Sequence, residues 1–114
     1  MKVMKFGGTS LGSPQRMKEV AKLITADVDS KIVVLSALSG TTNALVEISS
    51  TLASGNKNEA KLQIDALEQH YQTFIELLLN TDDAKLKAKQ LLAEHFEFLT
   101  IILKISFSEA LNKD

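Results

Sequence analysis

Two short apolar runs that each end in small residues, helical periodicity between them, and a second half without any strand signal predict an α/β chain. The expected architecture is a βαβα unit of a parallel sheet followed by a helical hairpin. Lys2 to Phe6 is apolar-rich and stops at Gly7-Gly8, as a buried strand does at a turn. Ser13-Pro14 is a helix start, because Ser can accept from free N–H groups and Pro suits the first helical position. Met17, Val20, Ala21 and Ile24 then share one helical face. Residues 27–30 read as a polar turn. Lys31-Ile32-Val33-Val34-Leu35 has the β-branched character of a strand buried on both faces. Residues 36–43 are small and hydroxyl-rich, and a second helix begins near Thr42, with Leu45, Ile48 and Leu52 as its buried face.

From Ser54 onward the pattern is helical. Ala60, Ile64, Leu67, Tyr71, Phe74 and Leu78 alternate spacings of four and three, which makes one continuous apolar stripe. Asn80-Thr81-Asp82-Asp83 marks a break and a new cap, its acids placed to complement the next helix dipole. Leu92, Phe96 and Leu99, flanked by Leu91, His95 and Phe98, carry the following helix, and residues 106–114 could begin a third. The division expected is a βαβα part over 1–54 and a helical part over 55–114. Two strands are few for an α/β domain, so the first part reads as a portion of a larger sheet.

Composition narrows the function classes. The chain has 114 residues, 45% hydrophobic and 24% charged, ordinary for a globular protein. Thirteen Lys and Arg oppose fourteen Asp and Glu, a net charge of -1 that argues against nucleic acid or an anionic membrane as partner. The absence of cysteine excludes disulfides, thiolate nucleophiles and cysteine-bound metals. His70 and His95, the two histidines, sit at or beside apolar helix faces and read as surface or interface residues rather than ligands. No apolar stretch of signal-peptide length precedes the glycines, and no run is apolar enough to span a bilayer; the expectation is a cytoplasmic protein. Glu94, Glu97 and the lysines between 85 and 89 read as a solvated face, Asp82-Asp83 as a helix start rather than a metal site, and Phe96, Phe98 and Phe107 as core or, if left uncovered, an oligomerisation patch.

Two loops could carry chemistry. In Lys5-Phe6-Gly7-Gly8-Thr9-Ser10, glycines directly after a strand let the backbone approach a ligand, and successive N–H groups beside a helix start suit phosphate oxygens. Lys5 adds a positive charge of the kind a transferring phosphoryl group needs. The spacing is neither that of a P-loop nor that of the dinucleotide fingerprint. The residues alone leave a second reading open: a tight turn beside a solvated lysine. Ser36-Ala37-Leu38-Ser39-Gly40-Thr41-Thr42-Asn43 follows the second strand and offers hydroxyls at the same sheet edge, where open α/β sheets bind ligands. Plain capping by Thr41 or Thr42 would also explain it.

Val3-Met4-Lys5-Phe6-Gly7-Gly8-Thr9-Ser10 resembles the N-terminal signature of aspartate kinases, within the amino-acid kinase family. Gly12-Ser13-Pro14-Gln15-Arg16-Met17 resembles the segment that follows it, and the run from Val33 through Thr42-Asn43 to Leu45 resembles the second signature. The likeness is specific over 2–52; beyond, it is one of position and helical character, like the family's helical insertion. The resemblance implies a partial amino-acid-kinase fold, with ATP and L-aspartate as substrates and Mg2+ held by the nucleotide. It implies phosphorylation of the aspartate β-carboxylate to 4-phospho-aspartate, the first step of lysine, threonine and methionine biosynthesis, in a protein that forms homo-oligomers. By the same resemblance Lys5 would bind the ATP phosphates and stabilise the transferring phosphoryl. Gly7 and Gly8 would supply N–H groups to those phosphates. Ser10 would line the junction of nucleotide and acceptor, Ser36 would face the phosphate path, and Thr42 would contact aspartate.

The glycine–glutamate pair, the substrate-binding arginine and the catalytic aspartate that such enzymes carry further along are not found by Asp114. The expectation is therefore an incomplete and inactive N-terminal part. The alternatives are another amino-acid kinase, or a non-catalytic module that self-associates through the Ala60 to Leu78 stripe. Fusion to homoserine dehydrogenase and feedback by lysine or threonine leave no mark in these residues.

Overall fold

The structure, a computed structural model, describes the backbone of residues 1–111 and the side chains of residues 1–105. Its elements run β1 (Lys2–Phe6), α1 (Pro14–Ile24), β2 (Lys31–Leu35), α2 (Thr41–Ala53), α3 (Lys57–Leu78) and α4 (Asp82–Leu111). Among the described residues this is the α/β order expected, with one parallel strand pair and a long helical hairpin. The chain divides into two compact units, Met1–Thr42 and Asn43–Asp114.

In the first unit, β1 and β2 pair in parallel from Lys2 opposite Lys31 to Phe6 opposite Leu35. The ladder continues past both ends, with Lys2 N–H donating to Ser30 O at 3.1 Å and Ser36 N–H to Phe6 O at 3.1 Å. The crossover helix α1 starts as its sequence dictates: Ser13 Oγ accepts from Arg16 N–H at 3.1 Å and Pro14 occupies the first turn. Val20 is its buried residue; Met17 and Ile24 are half-buried and Ala21 is exposed. The turn after α1 is tied by charge. Lys2 Nζ donates to Asp27 Oδ2 at 2.6 Å, and Lys31 Nζ donates to Ile24 O at 2.5 Å while lying 3.0 Å from Asp27 Oδ1. Lys2 first, then Lys31 and the Asp29 N–H, hold the Asp27 carboxyl well below the usual carboxylate range.

The expectation that β2 is buried on both faces is not met. Residues alternate across a strand, so Met4, Phe6 and Val33 share one face and Val3, Lys5, Ile32 and Val34 the other. Phe6 meets Val20 and Leu23 of α1 around a common groove. Ile32 and Val34, on the opposite face, are each 48% exposed, because within this unit α1 covers a single side of the pair.

The second unit has the larger core. Ile48, Ala60, Ile64, Leu67, Phe96 and Leu103 form one buried cluster, with Ala44, Leu52, Tyr71, Leu92 and Leu99 packed against it. Ala60, Ile64, Leu67 and Tyr71 of the stripe from Ala60 to Leu78 are thus turned into this cluster with residues of α2 and α4. On α2 the apolar residue of the first turn that packs against the cluster is Ala44; Leu45, expected inside, is exposed, since one residue along a helix is a rotation of about 100°. Phe98 is likewise 65% exposed, while Phe96, two residues away, packs edge-on to Tyr71 with ring centroids 6.0 Å apart.

The α2–α3 connection is a Schellman motif. Gly55 has φ +87, its N–H donates to Leu52 O at 3.0 Å, and Asn56 N–H donates to Thr51 O at 3.3 Å. Asn56 Oδ1 then accepts from Glu59 N–H at 3.1 Å and opens α3. Thr81 Oγ1 accepts from Ala84 N–H at 3.1 Å, with Asp82 and Asp83 in the first turn of α4 as expected. The helix then continues unbroken to Leu111, so no third helix begins at 106; residues 112–114 and the Phe107 side chain lie outside the described residues. The lysine run is more than a solvated face. Lys85 and Lys89 both pair with Glu76 of α3 and draw its carboxyl below the ordinary range, Lys89 contributing more. His70 and His95 are exposed, and His70 lies edge-on to Tyr71 at 6.3 Å. Among the described residues no helix is long and apolar enough to cross a membrane.

Candidate functional site

Lys5, Gly7, Gly8, Ser10, Ser36 and Thr42 all fall in the first unit. Lys5 stands near the end of β1 opposite Val34, exposed, and among the described residues it forms no ion pair or hydrogen bond. After Phe6 the chain curls through three successive i to i+3 bonds: Ser10 N–H to Gly7 O at 3.1 Å, Leu11 N–H to Gly8 O at 3.2 Å and Gly12 N–H to Thr9 O at 3.2 Å. Leu11, whose N–H closes the second of these bonds, is buried at 1% exposure. The curl uses the N–H groups of its second half. Those of Gly7, Gly8 and Thr9 find no acceptor among the described residues.

Neither Gly7 nor Gly8 is required by the backbone. Positive φ occurs only at Gly40 and Gly55 among the described residues. A Cβ built on Gly7 meets nothing within 4 Å, and one on Gly8 meets Ser36 Oγ at 3.7 Å, an ordinary contact. Conformation therefore does not demand glycine here; the missing side chains leave open space over unpaired N–H groups. Gly12 differs, since a Cβ there would stand 3.1 Å from Thr9 O.

The 3.7 Å approach to Ser36 also shows that the loop after β1 and the loop after β2 are neighbours. Ser36 Oγ donates to Ala37 O at 2.7 Å. Gly40, with φ +86, turns the chain into α2, where Thr41 N–H donates to Leu38 O at 3.1 Å and Thr41 is buried. Thr42, one residue on, is exposed. Ser10 lies on the α1 side of the turn, lining an open groove of about 310 Å3 with Phe6, Thr9, Arg16, Glu19, Val20 and Leu23. The structure thus brings Gly7, Gly8 and Ser36 together, with Lys5 and Ser10 flanking the turn from opposite faces of the sheet. Arg16 was not singled out from the sequence. It donates from Nη1 to Thr9 O at 3.0 Å. A signal existed: a capping box would place Glu or Gln three residues after Ser13, and Arg16 stands there instead. Among the described residues no group of three acidic or histidine side chains could hold a metal ion.

The family model described as the amino acid kinase family matches residues 1–113. The chain belongs to the amino acid kinase family. Within it, the similarity is to aspartokinases. The chain is 38% identical over 112 residues to Aspartokinase 3, chloroplastic, of Arabidopsis thaliana, covering 90% of this chain and 18% of that protein. It is 33% identical over 96 residues to Aspartokinase of Rickettsia prowazekii, covering 80% of this chain and 22% of that protein. A Haemophilus influenzae protein named as an inactive aspartokinase 3 is 46% identical over 48 residues, which is 42% of this chain and 40% of that one. This amino acid kinase chain spans about a fifth of the length of the first two relatives. The two strands and four helices among the described residues are a part of the amino-acid-kinase fold.

Proposed function

We infer that the turn after β1 and the loop after β2 bind the phosphate groups of ATP, and that the protein transfers the γ-phosphoryl group to the β-carboxylate of L-aspartate. The observation that carries this reading is the glycine pair: two residues whose backbone does not need glycine, standing bare over unpaired N–H groups beside an unpaired lysine. Such a surface sets backbone donors beside a positive charge, the complement of a phosphate. The aspartokinase relatives supply the acceptor class.

In the reaction a β-carboxylate oxygen attacks the γ-phosphorus. The bond from phosphorus to the bridging β,γ-oxygen breaks, and ADP leaves with that electron pair, giving 4-phospho-aspartate. Lys5 and the N–H groups of Gly7 and Gly8 stabilise charge on the non-bridging oxygens. Ser36 lines the phosphate path, Ser10 the junction with the acceptor, and Thr42 contacts aspartate. Mg2+ arrives on the nucleotide. We place the helical segment 55–114 as an insertion in the same domain as 1–54. The protein acts as a cytoplasmic homo-oligomer, although some relatives are chloroplastic by name. The 114 residues alone bind ATP weakly and turn over nothing.

Hydroxamate trapping with the protein expressed from its complete reading frame tests this. ATP, magnesium and either aspartate, glutamate or acetylglutamate are supplied, with Lys5→Ala alongside. Product from aspartate alone, reduced about 100- to 1,000-fold in the variant, is expected. Product from none of the three acids, or an unaffected variant, would overturn the reading.

A further inference from the structure

Arg16 occupies the third position of α1, at the positive end of the helix dipole, where a cation is disfavoured and where no acidic residue balances it. Helix stability does not explain it. Its guanidinium turns back and donates to Thr9 O at 3.0 Å, an oxygen that also accepts from Gly12 N–H at 3.2 Å. Gly12 keeps the approach open, because a Cβ there would lie 3.1 Å from Thr9 O and 3.7 Å from Arg16 Nη1.

The bond continues into the site through the peptide groups. The amide that carries Thr9 O also carries the Ser10 N–H, which donates to Gly7 O at 3.1 Å. The amide that carries Gly7 O carries the Gly8 N–H, and that group has no acceptor among the described residues. Each hydrogen bond accepted by a carbonyl polarises the N–H on the same amide, and a charged donor at the head of the chain strengthens every link.

We propose that Arg16 is a positioning residue for the phosphate site: through Thr9 and Gly7 it fixes the curl and polarises the outward Gly8 N–H, without touching the phosphate. This rests on the phosphate-binding reading above. Lys5 supplies charge directly from one face of the sheet, and Arg16 supplies it through two amides from the other.

The test uses the protein from its complete reading frame, with ATP affinity measured by titration calorimetry for Lys5→Ala, Arg16→Met and Arg16→Lys. Arg16→Met is expected to weaken ATP binding about five- to tenfold. Arg16→Lys, which keeps the charge and one donor, should recover most of that loss. KM for ATP should rise and kcat should fall in Arg16→Met, the fall smaller than in Lys5→Ala, while KM for aspartate stays within about twofold, because the polarised donor serves the nucleotide phosphates. In amide spectra without nucleotide, the Gly8 proton should move upfield in Arg16→Met and stay near its native position in Arg16→Lys. If Lys5→Ala weakens ATP binding and Arg16→Met does not, the role of Arg16 is overturned and the phosphate site stands. If Arg16→Met raises both KM values equally and lowers the melting temperature with no change at Gly8, Arg16 is a structural brace and the proposal falls. If Lys5→Ala also binds ATP as the parent does, the phosphate site itself is wrong and this inference falls with it.

Discussion

The two units of this chain are stabilised by different means. The helical unit carries a contiguous apolar cluster, from Ile48 through Ile64 and Phe96 to Leu103. The strand unit buries Leu11 and Val20 and leaves Val3, Ile32 and Val34 exposed; its order comes from backbone bonds, a helix cap and the charged knot at Asp27. The contrast teaches where function can be placed. A packed core tolerates little change in volume, whereas a curl held by its own hydrogen bonds can leave N–H groups and open space free for a ligand.

Substitutions at matched positions would sharpen this contrast. Ile64 is almost wholly buried, so Ile64→Ala should lower the stability of the helical unit by about 3 kcal/mol, read by denaturant unfolding followed through helical circular dichroism. A loss below about 1 kcal/mol would mean the cluster is loosely packed. Gly55→Ala places a side chain at φ +87 and should cost about 1 kcal/mol in the same measurement.

The charge pairs give a pH signature. Lys89 and Lys85 lower the Glu76 carboxyl in the folded state, so the stabilisation is complete above the ordinary carboxylate range and fades as pH falls from about 4 toward the lowered value. Glu76→Gln should therefore melt earlier than the parent at pH 7, and the two melting curves should draw together as acid protonates the lowered Glu76 carboxyl. A gap independent of pH would show that packing, not charge, ties α3 to α4 here. The smallest effect on stability is expected at the site. Gly7→Ala should leave unfolding within about 1 kcal/mol of the parent, since its Cβ meets nothing, yet weaken ATP binding. A marked loss of stability would return the glycine to an ordinary turn role.

The periodic helices, the cap at Ser13, the break before Asp82 and both loops were legible in the residues because each is a local pattern of a few positions. The Ala60 to Leu78 stripe needed only helical spacing to be assigned a buried face. The misreadings are equally specific. Leu45 and Phe98 are apolar and sit one or two residues from buried positions, so hydropathy alone could not say which of the neighbours turns inward. Glu76 with Lys85 and Lys89 joins positions on different helices, a pairing that i to i+4 rules cannot reach.

By itself, then, the sequence determined the element order, the parallel α/β beginning and the positions of the glycine pair and the hydroxyl loop. Hydrogen-bond geometry, capping chemistry and side-chain periodicity are all short-range. Tertiary structure decided which apolar residues are covered, that Ser36 stands beside Gly8, and that Arg16 turns back onto Thr9. Those outcomes depend on how the chain returns on itself after a crossover, and no local pattern carries that distance.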